Sequence, residues 1–346
     1  MPKHLLKKFL LVLVGALAIA VGITFFNTTN ATTTFYYAVT ELESLSSKES
    51  GANGINNSGQ VVGYSYPSGG PMHAVLWDDG TLIDVKTGGA ITLNYASASN
   101  KMGQVVCNLS PGWHVLGRCP YLWQDGKVTY IGECGGSSYV SAINNAGQVA
   151  GWDITRAFVW QNGNTNYLSS LGGSNSYSLA LGINNRGQVV GSSSTSSEQH
   201  AVLWQNNTIK DLGTLPGGSG SQASSINEIG TVVGLSNTSS GSTHAVLWQK
   251  RQIKDLGTLD GNDTQATDIN NRGTVVGYSF NSYDAPIHAF VWRNGTMRDL
   301  NSLLPANSGW ELTAAYGIND RGQIVGKGKK DGQTKAYLLT PIWITN

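Results

Sequence analysis

From about residue 50 onward the apolar residues come in short runs. Between 180 and 215 these read "ALGIN", "GQVVGSSS", "HAVLW" and "IKDLGTL", each ending in or followed within two positions by Asn, Ser, Pro or Gly. Runs this short, rich in Val, Ile, Leu and Trp and bounded by turn residues, predict β-strands rather than helices. An all-β chain of many short strands follows.

The pattern repeats. Aligned on "INNxGQVVG", the chain holds seven copies whose glycines are Gly59, Gly103, Gly147, Gly187, Gly230, Gly273 and Gly322, at spacings of 44, 44, 40, 43, 43 and 49 residues. A period in the forties with four strand-like segments per unit predicts a β-propeller rather than an α-solenoid. The last copy supplies three segments and stops, whereas "VTELESL" near the N-terminus aligns with the fourth-strand motif "IKDLGTL". Six whole blades and one blade closed by the N-terminal strand give a seven-bladed ring over 32–346.

Two kinds of turn fix the register. Asparagine stands three residues before every repeat glycine, at Asn56, Asn100, Asn144, Asn184, Asn227, Asn270 and Asn319. Asparagine can bond its own backbone at the start of a turn and glycine accepts a left-handed conformation at its end, so these are read as turn residues, not ligands. Between third and fourth strands come "DDG", "QDG", "QNG" and "RNG", two-residue hairpin signals. With Asn206 and Asn207 as the turn, Trp204 faces Ile209 and Val202 faces Asp211. His200 is then diagonal to Asp211 on one blade face.

That register decides what the recurring histidines do. The same arithmetic pairs His73 with Asp84, His244 with Asp255 and His288 with Asp299. In blades two and three both partners change together, to Cys119 with Tyr130 and Arg156 with Tyr167; in the split blade they become Lys335 and Glu41. Joint change is the mark of contacting pairs. Third-strand residues of different blades are too far apart to share an ion with metal–ligand bonds near ~2 Å, so no metal site and no cofactor is expected. Trp77, Trp123, Trp160, Trp204, Trp248 and Trp292 share the histidine face and are expected to pack between blades. Cys107 and Cys119 fall on neighbouring antiparallel strands and are the expected disulfide, with Cys134 left as a buried thiol.

Composition and charge narrow the function. Charged residues are 12% of the chain and the net charge is +1, which gives no electrostatic footprint for nucleic acid. Residues 1–31 read as an export signal, with basic "MPKHLLKK" before apolar "FLLVLVGALAIAVGITFF". Cleavage after Ala31 gives a secreted or periplasmic protein; retention of the 18 apolar residues Phe9 to Phe26 gives a single membrane anchor, the one route to a membrane contact.

The linked motifs "INNxGQVVG", "HAVLW" and "DLGTL", with His288, Ala289 and Phe290 as a literal His-Ala-Phe triplet, resemble the HAF-repeat family of bacterial extracellular proteins. The resemblance covers nearly everything after the signal. It implies export and repetition, and it carries no activity or catalytic residue.

Function is therefore expected where the repeat breaks, in loops rich in Ser, Thr, Asn and Gly that present Tyr66, Tyr95, Trp113, His114, Tyr283 and Trp310. Neutral hydrogen-bonding groups beside aromatic faces suit glycans. The expectation is a binding module for extracellular polysaccharide or an envelope component, with an assembly scaffold as alternative. No nucleophile motif is present and the loop carboxylates Asp260, Asp263, Asp284 and Glu311 are scattered, so no enzyme is expected.

Overall fold

The computed structural model describes residues 33–86, 93–110, 119–132, 136–173, 176–259, 261, 263–280 and 286–345. Seven four-stranded antiparallel sheets form a ring, a seven-bladed β-propeller. Blades one to six span 50–84, 93–130, 139–167, 178–211, 221–257 and 263–299, each with its strands hydrogen-bonded in chain order. Blade seven takes three strands, Trp310–Ile318, Ile324–Lys330 and Gln333–Thr345, from the C-terminal end and its outermost, Thr33–Glu41, from the N-terminal end. The Leu42 amide donates to the Ala336 carbonyl at 3.0 Å, the counterpart of Leu212 to Ala201 at 2.9 Å in blade four. The N-terminal strand therefore holds the register of an ordinary fourth strand. Among the described residues, 33–35 and 343–345 form a small separate unit, in which the Phe35 and Trp343 rings are 4.4 Å apart.

Blade four shows how the turns set the ladder. Trp204 pairs with Ile209 and Val202 with Asp211 around Asn206 and Asn207, whose φ angles are 50° and 58°. Asparagine tolerates this left-handed backbone better than other side chains do. Each third-strand tryptophan then packs against the preceding blade: Trp77 lies with Val325 and Ala336 of blade seven, Trp204 with Ala150 and Ala157, Trp248 with Val190 and Ala201.

Every innermost strand is bulged. The extra residues are Asn53, Ser97, Ser141, Leu181, Ser224, Thr267 and Tyr316. Six second strands place a glycine beside the bulge: Gly63, Gly151, Gly191, Gly234, Gly277 and Gly326. A Cβ on any of them would stand 1.8 to 2.1 Å from an inner-strand carbonyl oxygen. The glycine of "QVVG" is thus set by close backbone approach.

Blade two puts Cys107 there, and the expected bridge to Cys119 is not formed. Cys107 is a buried free thiol, whereas Cys119 is disulfide-bonded; Cys134, the third cysteine of the sequence, lies outside the described residues. Cys107 pairs with Tyr121, and Cys119 pairs with Leu109. The two cysteines are thus diagonal neighbours, a separation of roughly 7–8 Å, too long for the Cβ spacing of about 3.8 Å that a disulfide needs.

Lys335 and Glu41 do not pair either. Lys335 is 8% exposed and its Nζ donates to the carbonyls of Ser47 and Lys48 at 3.0 and 3.3 Å. Glu41 accepts from Lys330 Nζ at 2.9 Å. The connection from the outer strand into blade one supplies the acceptors that a carboxylate was expected to provide.

Candidate functional site: the central channel and its two ends

The asparagine of each first turn bonds in two directions. Its Oδ1 accepts the backbone N–H groups two and four residues on, as Asn184 does from Arg186 and Gln188, both at 3.1 Å. Its Nδ2 donates across the blade boundary to the carbonyl of the next asparagine. The links run from Asn56 to Asn100 (3.0 Å), on to Asn144 (3.0 Å), Asn184 (3.1 Å), Asn227 (3.0 Å), Asn270 (3.1 Å) and Asn319 (3.1 Å), and from Asn319 back to Asn56 (3.3 Å). Seven side chains of one type close a complete circle around one end of the channel. Their role as turn residues, read from the sequence, is half of what they do.

The next residue in each turn builds a second, open circle. The backbone N–H of Lys101 donates to Asn145 Oδ1 at 3.0 Å, Asn145 to Asn185 at 2.8 Å, Glu228 to Asn271 at 2.8 Å, Asn271 to Asp320 at 2.9 Å and Asp320 to Asn57 at 2.9 Å; Asn185 reaches Glu228 at 3.2 Å. Lys101 has no acceptor to offer Asn57, so the series breaks there. Turn residues from all seven blades line a cavity of about 310 Å³. Further in, the bulge residues line a further space of about 280 Å³.

Asp268 stands in that wall. Its carboxyl accepts from Ser225 Oγ at 2.7 Å and from the backbone N–H groups of Ile269 and Ile318 at 2.8 and 2.9 Å. Desolvation raises its pKa, and those three bonds partly counter it. The carboxyl bonds Ser225 of blade five and Ile318 of blade seven, so it joins three innermost strands.

Toward the opposite end, one position escapes the repeat. The residue after each "VVG" motif, or its variants "VVC", "VAG" and "IVG" in blades two, three and seven, is Tyr64, Asn108, Trp152, Ser192, Leu235, Tyr278 or Lys327, paired across the ladder with Gly51, Tyr95, Tyr139, Leu179, Gln222, Gln265 and Ala314 respectively. Aromatic rings gather here. Tyr139 and Trp152 stack at 4.9 Å, Tyr278 meets Tyr316 edge-on at 5.9 Å, and Lys327 Nζ is 5.9 Å from the Tyr316 ring centre. The Tyr278 hydroxyl donates to Gln265 Oε1 at 3.1 Å and the Tyr64 hydroxyl to Glu49 Oε1 at 3.0 Å. Burial first, then the Glu49 carboxylate and the nearby Tyr316 and Tyr66 phenols, pushes the Tyr64 hydroxyl upward; burial and Tyr278 do the same to Tyr316. Both phenols remain neutral hydrogen-bonding groups at physiological pH. Between blades four and five the same end opens a polar cleft of about 410 Å³, lined by Glu198, Gln199, Ser221, Gln222, Leu235 and Asn237.

The loop residues singled out from the sequence are dispersed. Tyr66 follows the second strand of blade one and packs edge-on against Tyr64 at 6.3 Å. Trp310 opens the innermost strand of blade seven, 6.1 Å from Tyr337 and with Lys330 Nζ at 5.6 Å. Tyr95 lies within the innermost strand of blade two, opposite Asn108. Trp113, His114 and Tyr283 lie outside the described residues. Sequence reasoning looked to the loops and passed over Tyr64, Tyr139, Trp152, Tyr278, Tyr316 and Lys327. The available signal was a variable residue inside an otherwise constant strand.

The third-strand histidines meet local aspartates. His73 Nδ1 lies 3.1 Å from both Asp84 carboxylate oxygens, His200 2.8 Å from Asp211, His244 2.9 Å from Asp255 and His288 3.2 Å from Asp299. In blade three, the Arg156 guanidinium lies over the Tyr167 ring at 3.8 Å. Among the described residues no group of three or more His, Cys, Asp or Glu is placed to hold a metal ion. Of the loop carboxylates, Asp263 accepts the Thr243 amide at 2.8 Å and Glu311 meets Lys329 at 3.5 Å, whereas Asp260 and Asp284 lie outside the described residues.

No protein-family model and no curated protein matches the chain. Among solved structures it is similar to YCF48 bound to D1 peptide, at 12% identity over 90% of this chain and 96% of that one, with a TM-score of 0.53. It is also similar to an oligogalacturonate lyase from Vibrio parahaemolyticus, at 11% identity over 89% and 97% of the two chains, again with a TM-score of 0.53. The shared property is the propeller fold.

Proposed function

We propose that the protein is an exported glycan-binding module that takes an extracellular polysaccharide, or a glycan of the cell envelope, at the channel end opposite the asparagine circle. One observation carries this reading. The residue that follows the repeat's second-strand glycine position changes from blade to blade, as does its inner-strand partner, and there the chain places aromatic rings beside amides. Sugars present an apolar ring face and many hydroxyls, which such a surface matches. The basic and apolar stretch in 1–31 supports export.

A glycan array followed by calorimetry tests the reading, using the wild type and the variants Tyr316→Ala, Trp152→Ala and Trp310→Ala. Binding that falls at least about tenfold on loss of a stacking ring is expected, the size of about 1.4 kcal/mol. Binding that survives Tyr316→Ala and Trp152→Ala but fails in Trp310→Ala moves the site to the start of the innermost strand of blade seven. Capture of peptides and no glycan overturns the proposal, and turnover of a bound glycan makes the protein an enzyme.

A further inference from the structure

Lys327 is the one charge among the seven variable second-strand positions. Its blade neighbours are both neutralised: Lys329 meets Glu311 at 3.5 Å and Lys330 meets Glu41 at 2.9 Å. Lys327 has no carboxylate within 4 Å among the described residues, and its ammonium stands over the Tyr316 ring instead. The side chain is half-buried. A half-buried cation carries a desolvation cost, which a lysine free to reach solvent would avoid.

Tyr316 is the second element. It is the bulge residue of blade seven, it lines the channel, and Tyr278 of blade six meets it edge-on. Gln265, bonded to the Tyr278 hydroxyl, adds an amide. Cation, ring face and amide therefore converge on one side of the channel, at the boundary of blades six and seven. A neutral hexose would use the ring and the amide and leave the ammonium unanswered. A uronic acid carries a carboxylate on the same pyranose ring whose apolar face can stack on tyrosine, so a single sugar unit can answer both the ammonium and the Tyr316 ring.

We propose that this corner is a subsite for an acidic sugar, with Lys327 pairing the uronate carboxylate and Tyr316 stacking on its ring. The inference rests on the reading of this face as a glycan site. A charge-assisted hydrogen bond at a half-buried lysine gives the acidic sugar a preference of about tenfold over its neutral counterpart.

The test is calorimetry on the full chain with tetrasaccharides of galacturonate and guluronate and a hyaluronan tetrasaccharide, each beside its carboxyl-reduced form. The variants are Lys327→Gln, Lys327→Met and, as a control at a neutralised surface lysine, Lys329→Gln, all checked for unchanged thermal unfolding. The expected result is that at least one uronate binds about tenfold better than its reduced form. Lys327→Gln and Lys327→Met abolish that preference while retaining the neutral sugar, and Lys329→Gln leaves it intact. Equal binding of the acidic and reduced forms, or a preference that survives Lys327→Gln, overturns the inference and leaves the glycan reading standing. No binding of either form overturns both.

Discussion

Asn319 Nδ2 donates to the carbonyl of Asn56, 263 residues away in sequence, at 3.3 Å. This bond joins blade seven to blade one and completes the asparagine circle, so the ring is closed twice: by the N-terminal strand at its rim and by side-chain amides at its axis.

The circle predicts a steep contrast between adjacent residues. In Asn184→Ala two backbone N–H groups lose their acceptor and the Asn227 carbonyl loses a buried donor. A loss of about 2–4 kcal/mol is expected, since orphaned buried groups cost about 1–3 kcal/mol each and part of that is recovered by relaxation. Asn185→Ala, on the exposed neighbour, is expected to cost less than about 1 kcal/mol. Urea unfolding of the two variants checks the difference; equal losses would mean the circle contributes nothing beyond an ordinary turn.

The bulge glycines predict a backbone effect of a different kind. Gly213 has φ of +75° with open space around a Cβ, whereas on Gly191 a Cβ would lie 1.8 Å from the Leu179 carbonyl oxygen. Gly213→Ala is expected to cost about 1–2 kcal/mol, the ordinary left-handed penalty. Gly191→Ala is expected to cost about 3 kcal/mol or more, because backbone must move. If thermal unfolding ranks them the other way, the close approach beside the bulge is not what selects glycine.

Much of this architecture was legible because the repeat is a measurement made seven times. Blade number, the split blade and the Trp204–Ile209 register follow from motif spacing and hairpin chemistry alone. The asparagine circle was hidden because a turn motif explains the residue locally, and only the ring geometry shows where its amide points. Cys107 and Cys119 misled because repeat alignment places residues on neighbouring strands without distinguishing opposite from diagonal. Lys335 misled for another reason: carbonyls of the connection at Ser47 and Lys48 do not register in a pattern of side chains. Of the aromatic end the sequence reading singled out Tyr95 alone from the inner-strand partners, because loops were searched, whereas these variable residues lie within strands.

For His200 and Asp211 a double-mutant cycle is informative, because the aspartate also accepts the Gly213 amide at 2.7 Å. Asp211→Ala is therefore expected to destabilise more than His200→Ala. The pair is partly exposed, with side-chain accessibilities of 24% and 40%, which limits the coupling energy to about 0.2–1 kcal/mol. The more enclosed His73 and Asp84, at 13% and 20%, are expected to couple more strongly. Strictly additive losses in both cycles would reduce the contacts to coincidences of packing.

Burial raises the Cys107 thiol from 9.0 to about 12, a shift that its hydrogen bond with Tyr121 only partly offsets. In the folded state the thiol therefore stays protonated through pH 9–11, whereas an unfolded chain ionises it above about pH 9. Its contribution to stability is complete below pH 9 and is lost as pH rises toward 12, the loss reaching about 1–2 kcal/mol at pH 10. Iodoacetamide at pH 8.5 is accordingly expected to leave Cys107 unmodified in the native protein and to label it within minutes in guanidinium, as read by peptide mass spectrometry. The wild type is expected to lose more stability between pH 8 and pH 10 than Cys107→Ala does. Rapid native labelling, or identical alkaline slopes for the two proteins, would place this thiol in contact with solvent rather than in the core of blade two.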